Sequence, residues 1–147
     1  MKLTTVSYQA KPHEVESQWY VVDATDVILG RLSTEVASRI MGKHKAQFSP
    51  HALTGDTIIV INAAKVATSG NKLLQKKYYR HSGYPGGLKE TTLEEMLEKN
   101  PTYVVKHAVK GMLPKNKLAV KMLGRLHVYA DDQHPHEAQQ PKELKVK

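Results

Sequence analysis

The first apolar positions along the chain form a continuous run, Trp19-Tyr20-Val21-Val22, closed by Asp23. Nothing polar alternates within it, which is the pattern of a strand buried on both faces. After a short loop the period changes. Leu29, Leu32, Val36 and Ile40 recur at helical spacing while Arg31, Glu35 and Arg39 lie four apart on another face, predicting a helix over 29–41. Gly42 follows as its C-cap, and Lys43-His44-Lys45 places positive charge where the helix dipole favours it. A loop with Ser49-Pro50-His51 and Thr54-Gly55-Asp56 leads to a second apolar run, Thr57 to Asn62. Two buried strands flanking a helix imply a right-handed crossover and a parallel α/β sheet.

Further on, Thr92-Leu93-Glu94-Glu95 reads as a capping box, with Leu93, Met96 and Leu97 as the buried stripe of a short helix. Asn100-Pro101 stops it and starts another, with proline at the first helical position. In that helix Val104, Val105, Ala108, Val109 and Met112 are expected inside and Tyr103, Lys106 and Lys110 outside. Gly111 is expected to end it, before a stiff Met112-Leu113-Pro114 corner. Lys117 and Lys121 lie one turn apart on a short helix closing at Gly124, and Arg125 to Tyr129 alternates like a final strand. The polar stretch up to about Ser17 reads as an arm, and 131–147 as an extended surface wrap. Trp19, Val21, Ile59, Ile61 and Val128 are the candidate core.

The chain has 147 residues, enough for about one domain with a single core, taken as 19–130 with 1–18 and 131–147 as extensions. Its formal net charge of +8 points to an anionic partner. The distribution says more than the sum. Asp and Glu are missing from 36–55, 57–89 and 99–130, and the last window holds seven cations between Lys99 and Arg125. A surface built only for solubility intersperses the signs. The segregation is densest from Lys76 to Lys89, where Lys76, Lys77, Arg80 and Lys89 surround three tyrosines and run through a Tyr84-Pro85-Gly86-Gly87 turn. Cations attract phosphate, flat rings lie on bases or sugars, and glycine lets the main chain approach a ligand. RNA or DNA is the natural partner.

Other chemistries find less support. The chain has no cysteine, which excludes disulfides, thiol catalysis and cysteine-ligated zinc. The strand-loop-helix at its start is built like a nucleotide-binding unit, but Gly30 stands alone without a G-x-G-x-x-G or Walker lysine. Asn62, at a strand end, is either a ligand group or a local backbone partner. Glu90, Glu94, Glu95 and Glu98 read as a solvated face, and His134-Pro135-His136 lacks a third spaced metal ligand. The N-terminus has no apolar core of a signal peptide, and the run Ile58 to Ile61 is too short to cross a bilayer, so a soluble, cytoplasmic protein is expected. An enzyme acting on a phosphorylated small molecule at the strand ends is one rival reading. A free RNA-binding regulator of messenger RNA is the other.

Several blocks occur in a fixed order: Trp19 to Ala24, Leu29-Gly30-Arg31-Leu32, Gly42 to Lys45, Pro50-His51, Thr54-Gly55-Asp56, Ile61-Asn62-Ala63, Tyr78 to Gly87, Lys110 to Pro114, Val128-Tyr129-Ala130 and His134-Pro135-His136. Together they resemble the signature blocks of the bacterial ribosomal protein L13 family over about 19–140. Leu53 and Asp131 depart from the family's usual acidic residue and glycine, and the arm before Trp19 matches least. The resemblance implies a three-layer α/β/α fold around a small, mainly parallel sheet of about four strands. It also implies a non-enzymatic constituent of the large (50S) ribosomal subunit that binds 23S rRNA early in assembly, beside other large-subunit proteins. Neither a cofactor, a metal, a membrane nor a small-molecule substrate is implied.

In that role Lys43, Lys45, Lys72, Lys76, Lys77, Arg80 and Lys89 are the expected phosphate or sugar contacts, with Arg31, His44 and Lys106 as further candidates. Gly83, Gly86 and Gly87 let the backbone approach RNA, and Tyr78 or Tyr84 stacks on a base or ribose. Lys110, Lys115, Lys117 and Lys121 form a second basic surface, and His51, His81, His134 and His136 are hydrogen-bonding candidates.

Overall fold

A computed structural model describes residues 9–11 and 14–146. The first apolar run is strand β1 (Trp19–Asp23), the helical pattern is α1 (Leu29–Met41), and the second run is β2 (Thr57–Ile61). A short helix α2 (Lys72–Gln75) leads into β3 (Lys77–His81) and β4 (Leu88–Thr92). Helices α3 (Leu93–Lys99), α4 (Pro101–Met112) and α5 (Lys117–Leu123) follow, then β5 (Leu126–Val128) and, near the end, β6 (Lys142–Glu143).

Four strands form one sheet in the order β5-β2-β1-β6, every neighbouring pair parallel. Because β1, β2 and β5 succeed one another in one direction, right-handed crossovers put their helices on the same face. Leu32, Val36 and Ile40 of α1 and Val104, Val105 and Val109 of α4 accordingly join Val22, Ile58 and Val60 of the sheet in one core. Burying each such side chain contributes about 1.5–3 kcal/mol, so this stripe supplies most of the adhesion between the layers.

The opposite face carries Trp19, Val21, Ile59 and His127, which share it by register. His136 from the C-terminal segment lies over it, 5.3 Å from the Trp19 ring and 4.6 Å from His127. The mainly parallel sheet thus sits in the expected three-layer α/β fold, its second outer layer supplied by the C-terminal segment and a 3-10 turn at Glu137–Gln139.

Three expectations are corrected. β1 is not buried on both faces: Trp19 and Val21, like Ile61 in β2, are only half-buried, while Ile59 and Val128 are core. Helix α4 does not stop at Gly111 but runs on to Met112, whose side chain is exposed; an exposed last turn tolerates glycine and does not need an apolar neighbour. The basic stretch 76–89, for which the sequence pattern marks only the turn at 84–87, is an antiparallel β-hairpin, β3–β4, closed at 82–87. The 126–128 strand is not final, since part of the C-terminal wrap pairs with β1 as the fourth strand. The reading of the N-terminal arm falls largely on residues 1–8, 12 and 13, outside the described residues; Ala10 is buried and its N–H reaches Ser49 Oγ at 3.4 Å.

Helix ends obey local chemistry. Gly42 caps α1 in the left-handed conformation, φ 85°, its N–H bonded to the Ser38 and Arg39 carbonyls. Thr92, Asn100 and Asn116 each accept a backbone N–H in the first turn of α3, α4 and α5.

Candidate nucleic-acid interface

Strand-end crevices are where open parallel sheets usually hold ligands, and here that edge is occupied by the protein itself. Asp23 Oδ1 accepts from the Thr25 N–H at 2.9 Å, the Thr25 hydroxyl at 2.7 Å and Asn62 Nδ2 at 3.0 Å. The Thr25 backbone and side-chain bonds hold the Asp23 carboxyl below its usual range, since they favour the charged form. Asn62 sits at φ 55° with its N–H on the Asp131 carbonyl. Its side chain therefore braces two strand ends, closer to the local structural reading than to a ligand group. No group of three or more His, Asp or Glu among the described residues is placed to hold a metal ion.

The charge faces outward on the hairpin. Antiparallel register pairs Tyr78 with Thr91 and Arg80 with Lys89 on one side, and puts Lys77, Tyr79 and His81 on the other with Glu90 and Leu88. Arg80 and Lys89 meet no carboxylate among the described residues. Lys77 does: its ammonium lies 2.8 Å from Glu90, whose hydrogen bond and charge raise the lysine pKa. Lys76 sits 5.4 Å over the Tyr78 ring.

The tyrosines divide differently from the expectation. Tyr78 is 7% exposed, packed edge-on against Tyr103 and His107, so it belongs to the core. Burial, with Tyr103 adding to it, raises its pKa and keeps the hydroxyl protonated. Tyr79 and Tyr84, 63% and 76% exposed, are the rings on the surface. Strand alternation would have found Tyr79, but the charged residues around it mask the period.

In the turn, Gly83 and Gly86 adopt φ 90° and 71°, and a side chain on Gly87 would collide with Ser82 Oγ. The Gly87 N–H binds the Tyr84 carbonyl, and the Ser82 N–H binds the Gly87 carbonyl. These glycines thus make the turn itself. His81 Nδ1 accepts the Gly83 N–H at 2.9 Å, leaving Nε2 to point elsewhere.

The remaining candidates scatter over several faces. Lys110, Lys115 and Lys117 rim an apolar groove floored by Leu113, Ala119 and Leu123, with Val120 exposed beside it, and Lys121 lies outside this rim. Lys72, bonded to Ser69 Oγ at 3.1 Å, lines a cleft with Lys76 at the start of α1. Arg31 flanks a neighbouring groove with Lys145, a cation the sequence reading passed over. Lys43, His51 and Lys106 are exposed. His134 and His136 lie on the far side of the sheet, where the Tyr129 hydroxyl and His136 Nε2 are 2.8 Å apart and His134 Nδ1 accepts the His136 N–H.

Two candidates are turned inward instead. Lys45 donates to Asp56 Oδ1 at 2.5 Å and to the Glu16 carbonyl at 2.7 Å, and His44 Nε2 lies 2.7 Å from Asp56 Oδ2. Asp56 is wholly buried, so Lys45 and His44 are both engaged with a carboxylate inside the protein. An acid directly before β2 marked this in the sequence, since a lone carboxylate among cations needs partners.

Fold and surface define a class: a small basic α/β domain whose strand-end crevice is closed by its own side chains and whose free cations stand on its periphery. The profile of the ribosomal protein L13 family matches residues 17–135. The large ribosomal subunit protein uL13 of Kocuria rhizophila is 60% identical over 136 residues, covering 92% of each chain. Those of Ralstonia pickettii and Burkholderia pseudomallei are each 58% identical over 140 residues, covering 95% of this chain and 99% of theirs. The chain belongs to the ribosomal protein L13 family, whose members are structural, non-enzymatic ribosome components. No helix among the described residues is long and apolar enough to cross a membrane.

Proposed function

We propose that this protein is a cytoplasmic structural constituent of the 50S subunit that binds 23S rRNA and stabilises its fold early in assembly, beside other large-subunit proteins. The observation that carries the reading is the uncompensated charge at the periphery of the domain. Arg80 and Lys89 on the hairpin, and Lys110, Lys115 and Lys117 beyond α4, have no acidic partner among the described residues. Phosphates crowded together by RNA folding are the matching counter-charge, and cations placed on a rigid sheet and helices hold them at fixed spacing. The relatives' name, large ribosomal subunit protein, supports the same partner.

Sedimentation of native lysate through sucrose at low and high salt tests this. Co-migration with large subunits through a high-salt wash is expected. A position at the top of the gradient, or release at moderate salt, refutes it and favours a free RNA-binding regulator.

A further inference from the structure

We propose that the groove between the β3–β4 hairpin and the α3–α4 corner is a pocket for a single unpaired RNA nucleotide, its phosphate on Arg80 and Lys89 and its base against Tyr103. This rests on the RNA-binding reading above and names the element of RNA that this face takes.

The groove encloses about 540 Å³ and is lined by both cations together with Tyr78, Thr91, Asn100 and Tyr103. Hairpin register orders the lining. Arg80 and Lys89 form one cross-strand pair, and Tyr78 and Thr91 form the next pair on the same side, farther from the turn. Two like charges directly opposite one another weaken a hairpin. No acid among the described residues relieves them, so an arriving phosphate removes a repulsion as well as making two charged contacts.

The other end of the groove is aromatic and polar. Tyr103 is held as a rigid ring, stacked on His107 at 5.4 Å and met edge-on by Tyr78, yet a large part of it faces solvent. Asn100 Oδ1 is used by the Tyr103 N–H and the Thr102 hydroxyl. Its amide Nδ2 and the Thr91 hydroxyl have no partner among the described residues. The Tyr78 hydroxyl at the floor is also buried without one. An apolar ring face beside unused donors suits a heterocycle with polar edges. Bases inside a duplex hide their faces in the stack, so only an unpaired or extruded nucleotide offers both parts.

Three RNA hairpins of identical stem test the pocket: fully paired, with a one-nucleotide bulge (each base in turn), and with an abasic residue at the bulge. Binding to the full chain is read by fluorescence anisotropy at fixed salt. The bulged RNA is expected to bind about tenfold more tightly than the other two for at least one base, the scale of one base–aromatic stack. Tyr103→Leu, at a partly exposed position, is expected to erase that preference while leaving paired-stem affinity unchanged. Tyr103→Phe is expected to keep it. Equal binding to all three hairpins, or a preference that survives Tyr103→Leu, overturns the pocket and leaves RNA binding standing. Binding to none overturns the RNA-binding reading and the pocket with it.

Discussion

Replacing Lys45 with methionine separates a fold-holding cation from an RNA-contacting one. Its ammonium joins Asp56, just before β2, to the Glu16 carbonyl on the approach to β1. The Gln18 N–H reaches the same carboxylate oxygen at 3.0 Å. Removing one partner of a buried ion pair costs about 3–5 kcal/mol, because the surviving charge is stranded. Asp56 is 0% exposed, which places Lys45→Met in that class. Gln18 and the nearby His44 remain, so the low end, about 3 kcal/mol, is expected. The reverse change strands less: the Lys45 side chain keeps 20% of its surface and can turn to water. Asp56→Asn is therefore expected to cost about 1–2 kcal/mol, the scale of a lost charged hydrogen bond. In a chain of this size those losses lower the thermal midpoint by about 6–12 °C and about 2–8 °C respectively. Thermal unfolding at pH 7.5, with RNA affinity measured across salt on the same proteins, reads both roles. The slope of log affinity against log salt is expected to stay at the wild-type value in Lys45→Met below its midpoint. A midpoint within a degree of wild type, with a slope reduced by one, would falsify the inward assignment.

Three further outcomes follow from the geometry. Arg80→Gln and Lys89→Gln are each expected to reduce the salt slope by about one unit, and Lys77→Gln by less, because Glu90 already pairs with Lys77; equal reductions in all three refute the face assignment. Gly86→Val forces a branched side chain to φ 71°, a cost of about 1–2 kcal/mol that falls on the turn. Amide exchange at Ser82 and Gly87 should speed up about tenfold or more while α1 amides are unchanged, and uniform loss of protection would show that the turn holds the whole fold. Burial first, then His136 and Lys106, lowers the His127 pKa below the ordinary histidine value of 6.5. A depressed folded pKa means that the unfolded chain takes up the proton first. Stability is then complete above about pH 6.5 and declines as pH falls toward the folded pKa. The thermal midpoint should drop between pH 7.5 and 5.5, and His127→Gln should flatten that drop; an unchanged pH profile in the variant argues against it.

Period and punctuation made most of the sheet and helices legible. Leu29, Leu32, Val36 and Ile40 mark one helix face that no strand could share, and Gly42 marks its end, so α1 matches the expected 29–41. The hairpin was hidden because its strands bury almost nothing: of Lys77 to His81 only Tyr78 is inside, and alternation without an apolar face leaves no period to read. β6 was hidden for a related reason. Two exposed residues, Lys142 and Glu143, join the sheet through backbone pairing alone. At the candidate interface, charge predicted which cations exist but not where they point. Lys45 and Lys43 are equivalent in composition, and only the position of Asp56 turns one inward.

That inward turn explains how an α/β domain comes to work from its periphery. Parallel sheets concentrate backbone dipoles and polar side chains at their strand ends, and enzymes of this architecture leave that edge open. Here Asp23, Thr25 and Asn62 are bonded to one another across the ends of β1 and β2, and the Asn62 and Ala63 N–H groups are taken by Asp131 and Tyr129. At the opposite edge Asp56 holds Lys45 and His44, near the start of β2. Both edges are thereby closed with charges that stay within the protein. The charge left for a partner is pushed onto elements that contribute little to the core, the hairpin and the outer faces of α4 and α5. Substitutions there should separate binding from folding, whereas those at Asp23, Asp56 or Asn62 should not. Asp23→Ala puts this to the test: it is expected to lower the thermal midpoint and to leave the salt slope of RNA binding intact. A variant that unfolds normally but binds with a changed slope would reopen the strand-end crevice as the working site.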